Sequence, residues 1–260
     1  MAVVTLTTDF GTTDPFVGIM KGVIAGRAPA AHVIDVTHGI PAQDVRAGAL
    51  VLRHAVPWFP PGTIHLAVVD PGVGGPRRPL CVETARARFV GPDNGLLSLA
   101  APVAEVRRIV HLTDAGFFLP SPSTTFHGRD VFAPVAAALA TGTTPAALGT
   151  EVPDMVRLEL PAPAVEAGRI AGEVIYVDGF GNLVTNLSGD MVDQLGRADA
   201  VLSVGSTRIR AVSTTYGAVA PGEPVAVVGS WGLVEVAVRD GSARVTLGAD
   251  VGATVVIERP

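Results

Sequence analysis

The chain of 260 residues predicts an α/β fold, with an N-terminal α/β/α sandwich on a mostly parallel sheet over residues 1–160 and a smaller, mainly antiparallel β domain over 161–260. Three observations carry this expectation. Short β-branched runs alternate with helical patterns through the first half. Those runs are apolar on both faces, as strands covered from two sides are. Beyond Leu160 short strands are separated by Gly-rich turns instead.

Val3 to Thr7 opens as a strand. Asp14-Pro15 then supplies an N-cap and a first-turn proline for a helix through Arg27, with Phe16, Ile19, Met20, Val23 and Ile24 at helical spacing. His32 to Val36 follows as a second strand and Asp44 to Ala55 as a second helix, which Pro57-Trp58-Phe59-Pro60-Pro61-Gly62 cannot continue. Ile64 to Val69 forms a buried strand ending at Asp70, and Leu80 to Thr84 another. After Gly91-Pro92-Asp93-Asn94-Gly95 a short helix is expected through Leu99, and Asp130 is expected to cap a helix of Val131 to Ala140. Pro161, Pro163 and Gly168 mark a junction. Strands are then expected at Ile170 to Val177, Ala200 to Val204, Pro224 to Val228, Val234 to Val238 and Thr254 to Ile257. No internal repeat of useful length is present.

Composition narrows the function classes. With 48% apolar and 17% charged residues the chain has a folded core, and a chain this long buries roughly 70–75% of its unfolded surface. The 24 acidic residues outnumber 19 basic ones for a net charge of −5, and Lys21 is the sole lysine, which argues against a nucleic-acid partner and a polybasic anchor. No apolar stretch approaches the ~18–20 residues of a membrane span, and Met1 to Phe10 lacks a basic region followed by an apolar run, so a cytoplasmic protein is expected. Cys81 is the single cysteine, which leaves no intrachain disulfide and no Cys-rich metal site.

Ligands of open α/β sheets sit at the carboxyl ends of strands, which singles out Asp9 and Asp70. Asp9 follows the first strand, where a carboxylate either accepts two hydrogen bonds from a vicinal diol such as a ribose or caps its own turn. Asp70 opens Asp70-Pro71-Gly72-Val73-Gly74-Gly75-Pro76-Arg77-Arg78, in which glycines admit close backbone approach and Arg77 can fold back on the carboxylate; a rigid turn with a surface ion pair would look the same. This is not a Walker A loop, since no Gly-Lys-Ser/Thr follows. His32, His38, His54, His65 and His111 show no metal-ligand spacing, whereas His127 stands beside glycine at the mouth of a helix, facing a cleft or simply satisfied within its loop. Asp9, Asp70, Asp93 and His127 could supply an oxygen-rich metal site, but their spacing specifies none, and no metal is expected. Asp178-Gly179-Phe180-Gly181-Asn182 and Val228-Gly229-Ser230-Trp231-Gly232 each pair a polar side chain with an aromatic in a glycine turn, suited to a planar base or to hairpin packing.

Together these segments resemble the S-adenosyl-L-methionine (SAM) hydroxide adenosyltransferases, also called SAM hydrolases, relatives of the fluorinase and chlorinase. The matching runs are Thr8 to Asp14, Asp70 to Gly74 through Arg77, Thr125 to Asp130, Asp178 to Asn186, and Ser230 to Glu235. The resemblance implies hydrolysis of SAM to adenosine and methionine, by water or hydroxide attack at C5′ of the ribose, with SAM as substrate and no cofactor. It implies a catalytic triad of Asp70, Arg77 and His127. It places Asp9 at the ribose hydroxyls, Asn182 at the adenine edge, Phe180 and Tyr216 near the base, and backbone at Val238 towards adenine. Asp14, Asp178, Ser230 and Glu235 would hold the methionine amine and carboxylate. The halogenating relatives carry tyrosine where this chain has Asp70 and lack a His127 counterpart, and the fluorinase has serine at the position of Gly128, departures that favour water over halide. The fluorinase also has tryptophan where Gln43 falls and arginine where Trp231 falls. A homotrimer with sites between subunits is implied. The rivals are a SAM-dependent halogenase, a non-catalytic adenosine or SAM binder, and a metal-dependent hydrolase.

Overall fold

The computed structural model describes residues 1–259. They form a mixed α/β protein with two large sheets, in two compact units, Met1–Leu158 and the chain from Glu159 onward. In the first unit the order is Val3–Thr8 (β1), Phe16–Arg27 (α1), His32–Thr37 (β2), Val45–Ala55 (α2), Ile64–Val68 (β3), Pro79–Thr84 (β4), Arg88–Pro92 (β5), Val106–Leu112 (β6), Ala133–Ala140 (α3) and Gly149–Glu151 (β7). Its sheet runs β2-β1-β3-β5-β4-β6-β7.

The sheet is half parallel rather than mostly so: β1–β2, β1–β3 and β3–β5 are parallel, while β4–β5, β4–β6 and β6–β7 are antiparallel. The cause is local. Thr84 bonds back to Ala87 through both its backbone N–H (2.9 Å) and its hydroxyl, folding β4 onto β5, a strand the sequence reading did not anticipate, as a hairpin. Val4 and Leu6 of β1 face a cluster with Met20 and Ile24 of α1 and Val135, Ala136 and Leu139 of α3. Thr5 and Thr7 alternate to the other face and are fully buried. On α2, a Cβ at Gly48 would come within 2.8 Å of Leu96 and 3.1 Å of Val69, so glycine lets this helix lie close. Asp44, expected as the first residue of the second helix, is its N-cap, accepting the Ala47 N–H at 2.9 Å.

Two expected caps fail. Pro15, not Asp14, holds the N-cap position of α1, and no side chain caps it. Asp130 lies inside a helical turn of Gly128–Phe132 leading into α3, where its carboxylate accepts the Ser123 N–H and pairs with Arg129. Residues 94–100 are turns rather than the expected helix.

The second unit comprises Ala164–Glu166 (β8), Arg169–Val177 (β9), Leu183–Ser188 (β10), Gly189–Leu195 (α4), Val201–Val204 (β11), Thr207–Arg210 (β12), Pro224–Val228 (β13), Leu233–Val238 (β14), Ala243–Leu247 (α5) and Thr254–Glu258 (β15). Its strands order as β12-β11-β15-β9-β10-β14-β13, with β8 beside β9, and every pairing is antiparallel. Ile170, Val174, Leu183, Leu187, Val236 and Ile257 are among the residues filling its core. No helix among the described residues is long and apolar enough to cross a membrane.

Candidate active site

Because β1 and β3 are parallel neighbours in register, with Thr8 opposite Val68, the loops that follow them leave the sheet at the same edge. One carries Asp9 and the other Asp70. The chain after Asp70 folds back through turns closed by Val73 N–H to Asp70 O and Gly75 N–H to Gly72 O. Arg77 thereby meets the Asp70 carboxylate in a forked contact, its Nε 3.0 Å from Oδ1 and its Nη2 bonded to Oδ2. The pair is buried, with side-chain exposures of 9% for Arg77 and 4% for Asp70. Losing either partner would leave a desolvated charge, at a cost of about 3–5 kcal/mol.

The same Nη2 lies 2.7 Å from Nδ1 of His127. A guanidinium only donates, so Nδ1 is the acceptor and a neutral His127 carries its proton on Nε2. Burial, reinforced by the Arg77 charge, holds this imidazole below its ordinary pKa, so it is neutral at pH 7. Phe132 backs the group, its ring 5.4 Å from the Arg77 guanidinium carbon. The 70–77 and 124–127 segments pack closely because Gly74, at φ +74°, has no side chain: a Cβ there would sit 2.1 Å from the Thr124 carbonyl oxygen.

Asp9 Oδ2 accepts the backbone N–H of Gln43 at 2.8 Å, and Gln43 holds a left-handed backbone, φ 66°, to deliver it. Asp14 is exposed at the end of this loop. Gly128 is hemmed by Met20, Phe126 and Phe10, 3.1–3.4 Å from where its Cβ would stand. Phe10, Phe16 and Phe126 form a three-ring cluster with centroids 5.2–6.0 Å apart. Behind β1, the His38 ring bridges Thr8 Oγ1 at 2.8 Å and Asp35 Oδ1 at 3.1 Å.

In the second unit Asp178, Phe180, Asn182, Tyr216, Ser230, Trp231, Glu235 and Val238 line one cavity of about 870 Å³. Asp178 Oδ1 accepts the N–H groups of Phe180 and Asn182, and its Oδ2 accepts the Asn182 side-chain amide, each at 2.9 Å. That contact fixes the Asn182 amide with Oδ1 away from Asp178, an acceptor suited to an exocyclic amine. Burial raises the pKa of Glu235 and the Asp178 charge adds to it, against a hydrogen bond from Tyr216. Burial and Glu235 together push the Tyr216 hydroxyl up to about 12, so it remains a donor. Gly229 leaves the room this carboxylate needs, since a Cβ would stand 2.2 Å from Glu235 Oε2. Trp231 stacks on Tyr176 at 5.1 Å, and Phe180 is 81% exposed.

Asp93 does not join Asp9, Asp70 or His127; it faces Arg78 and the Val156 N–H. Among the described residues no group of three or more His, Cys, Asp or Glu side chains is placed to hold a metal ion. Sequence reasoning missed the Gln43 N–H, the Phe10–Phe16–Phe126 ring cluster and the His38 contacts. Phe10 and Phe126 stood inside quoted motifs and Gln43 was noted only as a position where the fluorinase differs.

A buried carboxylate–guanidinium pair touching an imidazole at the carboxyl ends of parallel strands, and a separate polar-aromatic cavity in an antiparallel unit, are the two constellations this two-unit protein offers a ligand. Residues 4–149 match the SAM hydroxide adenosyltransferase N-terminal domain and residues 172–256 its C-terminal domain, and the chain belongs to that family. An (R)-S-adenosyl-L-methionine hydrolase of Salinispora tropica is 45% identical, covering 96% of this chain and 95% of its own. One of Thermus thermophilus is 44% identical, covering 95% and 96%. The crystal structure of an uncharacterized conserved protein from Thermotoga maritima superposes with a TM-score of 0.91 at 37% identity, covering 99% of this chain and all of that one.

Proposed function

We propose that the protein hydrolyses (R)-S-adenosyl-L-methionine to adenosine and methionine, with Asp70, Arg77 and His127 activating the water. The observation that carries the residue roles is the continuous Asp70–Arg77–His127 contact. The relatives' hydrolase names support the substrate, its sulfonium epimer and the reaction.

The leaving group is a neutral thioether departing from a sulfonium, so it needs no general acid. The oxygen of water attacks C5′, the C5′–S bond breaks, and its electron pair stays on sulfur as methionine. The attacking water must lose a proton. His127 presents Nε2–H and acts as donor to the oxygen, so the Asp70 carboxylate takes the proton and passes it to solvent. Arg77 fixes the carboxylate and favours hydroxide by its charge. Asp9 holds the ribose hydroxyls with Asp14 and Gly128 nearby. In the second-unit cavity Asn182 and the Val238 backbone meet adenine, Phe180 and Tyr216 flank the base, and Asp178, Ser230, Trp231 and Glu235 surround the methionine end. Assembly as a homotrimer, with each site completed by a neighbouring copy, belongs to the same proposal; the 81% exposure of Phe180 supports it.

Reaction in ¹⁸O water is expected to label the 5′ oxygen of adenosine, and Asp70→Ala to lower turnover by about 10²–10⁴ with substrate affinity nearly kept. Label at any other atom, or full turnover by Asp70→Ala, overturns the assignment. SAM bound tightly and recovered intact after hours would mark a binding protein instead.

A further inference from the structure

Asp70 and Arg77 can act on one water only if the segment between them is held still. It is a loop of Gly and Pro between β3 and β4, with two internal turns and its ends joined through the forked Asp70–Arg77 contact. Both ends are held from outside by adjacent residues. The Asn94 side-chain amide donates to the carbonyl of Val69, the residue before Asp70, at 2.8 Å. The Asp93 backbone N–H donates to the carbonyl of Arg78, the residue after Arg77, at 2.8 Å. The Asp93 carboxylate also accepts Arg78 Nε at 2.7 Å, and Asp154 takes the outer Arg78 nitrogen at 2.9 Å.

The Asp93 N–H bond extends the β4–β5 ladder one rung beyond the Pro79–Pro92 pair. The Asn94 contact with Val69 differs from that of an ordinary turn, in which Asp and Asn side chains bond backbone one or two residues on. Asn94 makes one such bond, its Oδ1 accepting the Leu96 N–H at 3.2 Å, and that bond orients its amide nitrogen towards Val69. Flipping the amide would set oxygen against oxygen at Val69 and N–H against N–H at Leu96. Asp93 is 7% exposed, so its contacts are not loosened by water. Gly91 brings the strand carrying this dipeptide against β3, where a Cβ would stand 2.4 Å from the Ala67 carbonyl oxygen.

We infer that Asn94 and Asp93 are positioning residues for the hydrolysis, a clamp that sets the distance between the two ends of the Asp70–Arg77 loop. The inference rests on the proposed roles of Asp70 and Arg77. It assigns a function to a motif that the SAM contacts leave unused, and it places that function on the chemical step. The residues proposed to bind SAM lie elsewhere, so loosening the clamp should lower kcat while KM stays nearly constant.

The test is steady-state SAM hydrolysis by Asn94→Ala well below its melting temperature, beside Asp70→Ala. A clamp predicts a fall in kcat of at least about tenfold with KM within about threefold of the parent, in a variant that still melts cooperatively. A smaller fall in kcat, or a loss confined to KM, overturns it. Should Asn94→Ala not fold, Asn94→Asp, equal in volume but unable to donate to Val69, is judged by the same thresholds. If neither folds, the amide serves the fold rather than the reaction and the inference is wrong. An inactive Asp70→Ala beside a fully active Asn94→Ala removes the clamp alone, whereas a fully active Asp70→Ala removes the site assignment and the clamp with it.

Discussion

Substituting Gly74 by alanine tests whether close approach of two loops is what assembles the three polar groups. A Cβ on Gly74 would stand 2.1 Å from the Thr124 carbonyl oxygen. An ordinary carbon–oxygen contact is about 3.3 Å, so the 70–77 and 124–127 segments must part by about 1 Å. The obstacle is backbone on both sides, and no side-chain rotation relieves it. Carried to the site, that displacement opens the 2.7 Å contact between Arg77 and His127 to about 3.7 Å, beyond hydrogen-bonding range. His127 would lose the partner that fixes its Nε2–H, and kcat is expected to fall about 10²-fold. The left-handed backbone adds roughly 1–2 kcal/mol of destabilisation for any residue but glycine. Gly142 separates the two effects: its φ is +103°, but no atom lies within 4 Å of its would-be Cβ. Gly142→Ala should therefore lose stability and keep its turnover. The assay is chromatographic release of adenosine from SAM, with thermal melts of both variants. Gly74→Ala turning over within about twofold of the parent would refute the account.

Two further outcomes follow from the buried titratable groups. His65 is 1% exposed and burial pushes its pKa down to about 4 from 6.5, so below pH 6.5 the unfolded chain binds a proton that the folded one refuses. Its contribution is therefore constant above pH 6.5 and lost as pH falls towards 4, by roughly 3 kcal/mol in all, and urea denaturation at pH 7 and pH 5 should show a loss that His65→Asn reduces. Tyr216→Phe removes the donor that opposes the burial-raised pKa of Glu235, so SAM affinity, measured in an Asp70→Ala background, should drop more at pH 6 than at pH 8. Equal losses at the two pH values would mean Glu235 is not the cation-binding group.

β3 was legible because its signal is local, every position being buried, and β2 was legible from its β-branched run although no position of it is buried. β6 escaped notice because it carries Arg107, Arg108 and His111, and its charges find partners only across the sheet, Arg108 meeting Glu83 at 3.4 Å and Glu151 at 3.2 Å. The antiparallel half of the first sheet was hidden with it. At the site, Arg77 on Asp70 was legible because the partners are seven residues apart with glycines between them. The contacts that hold those groups in place were not. Gln43 reaches Asp9, and Asn94 reaches Val69, through backbone atoms of distant segments, which carry no residue-specific signal. Asp130 misled for a related reason: aspartate before an apolar run is a capping signal, but here Arg129 and the Ser123 N–H draw the carboxylate into the helical turn.

The buried pair also bears on which nucleophile the proposed reaction uses. Taking Asp70 and Arg77 out of water is expensive, and their mutual attraction offsets that expense without creating a surplus. A halide brings no proton, so an acceptor would be idle. Water gives that acceptor a task. It arrives neutral, acquires negative charge as it attacks, and sheds a proton that needs an acceptor near the Arg77 cation. The neutral His127, locked as a donor through Nε2, favours the developing negative charge without competing for that proton. Gly128 agrees with this assignment: Met20, Phe126 and Phe10 stand 3.1–3.4 Å from its would-be Cβ, so a hydroxyl-bearing side chain would enter only if those neighbours moved.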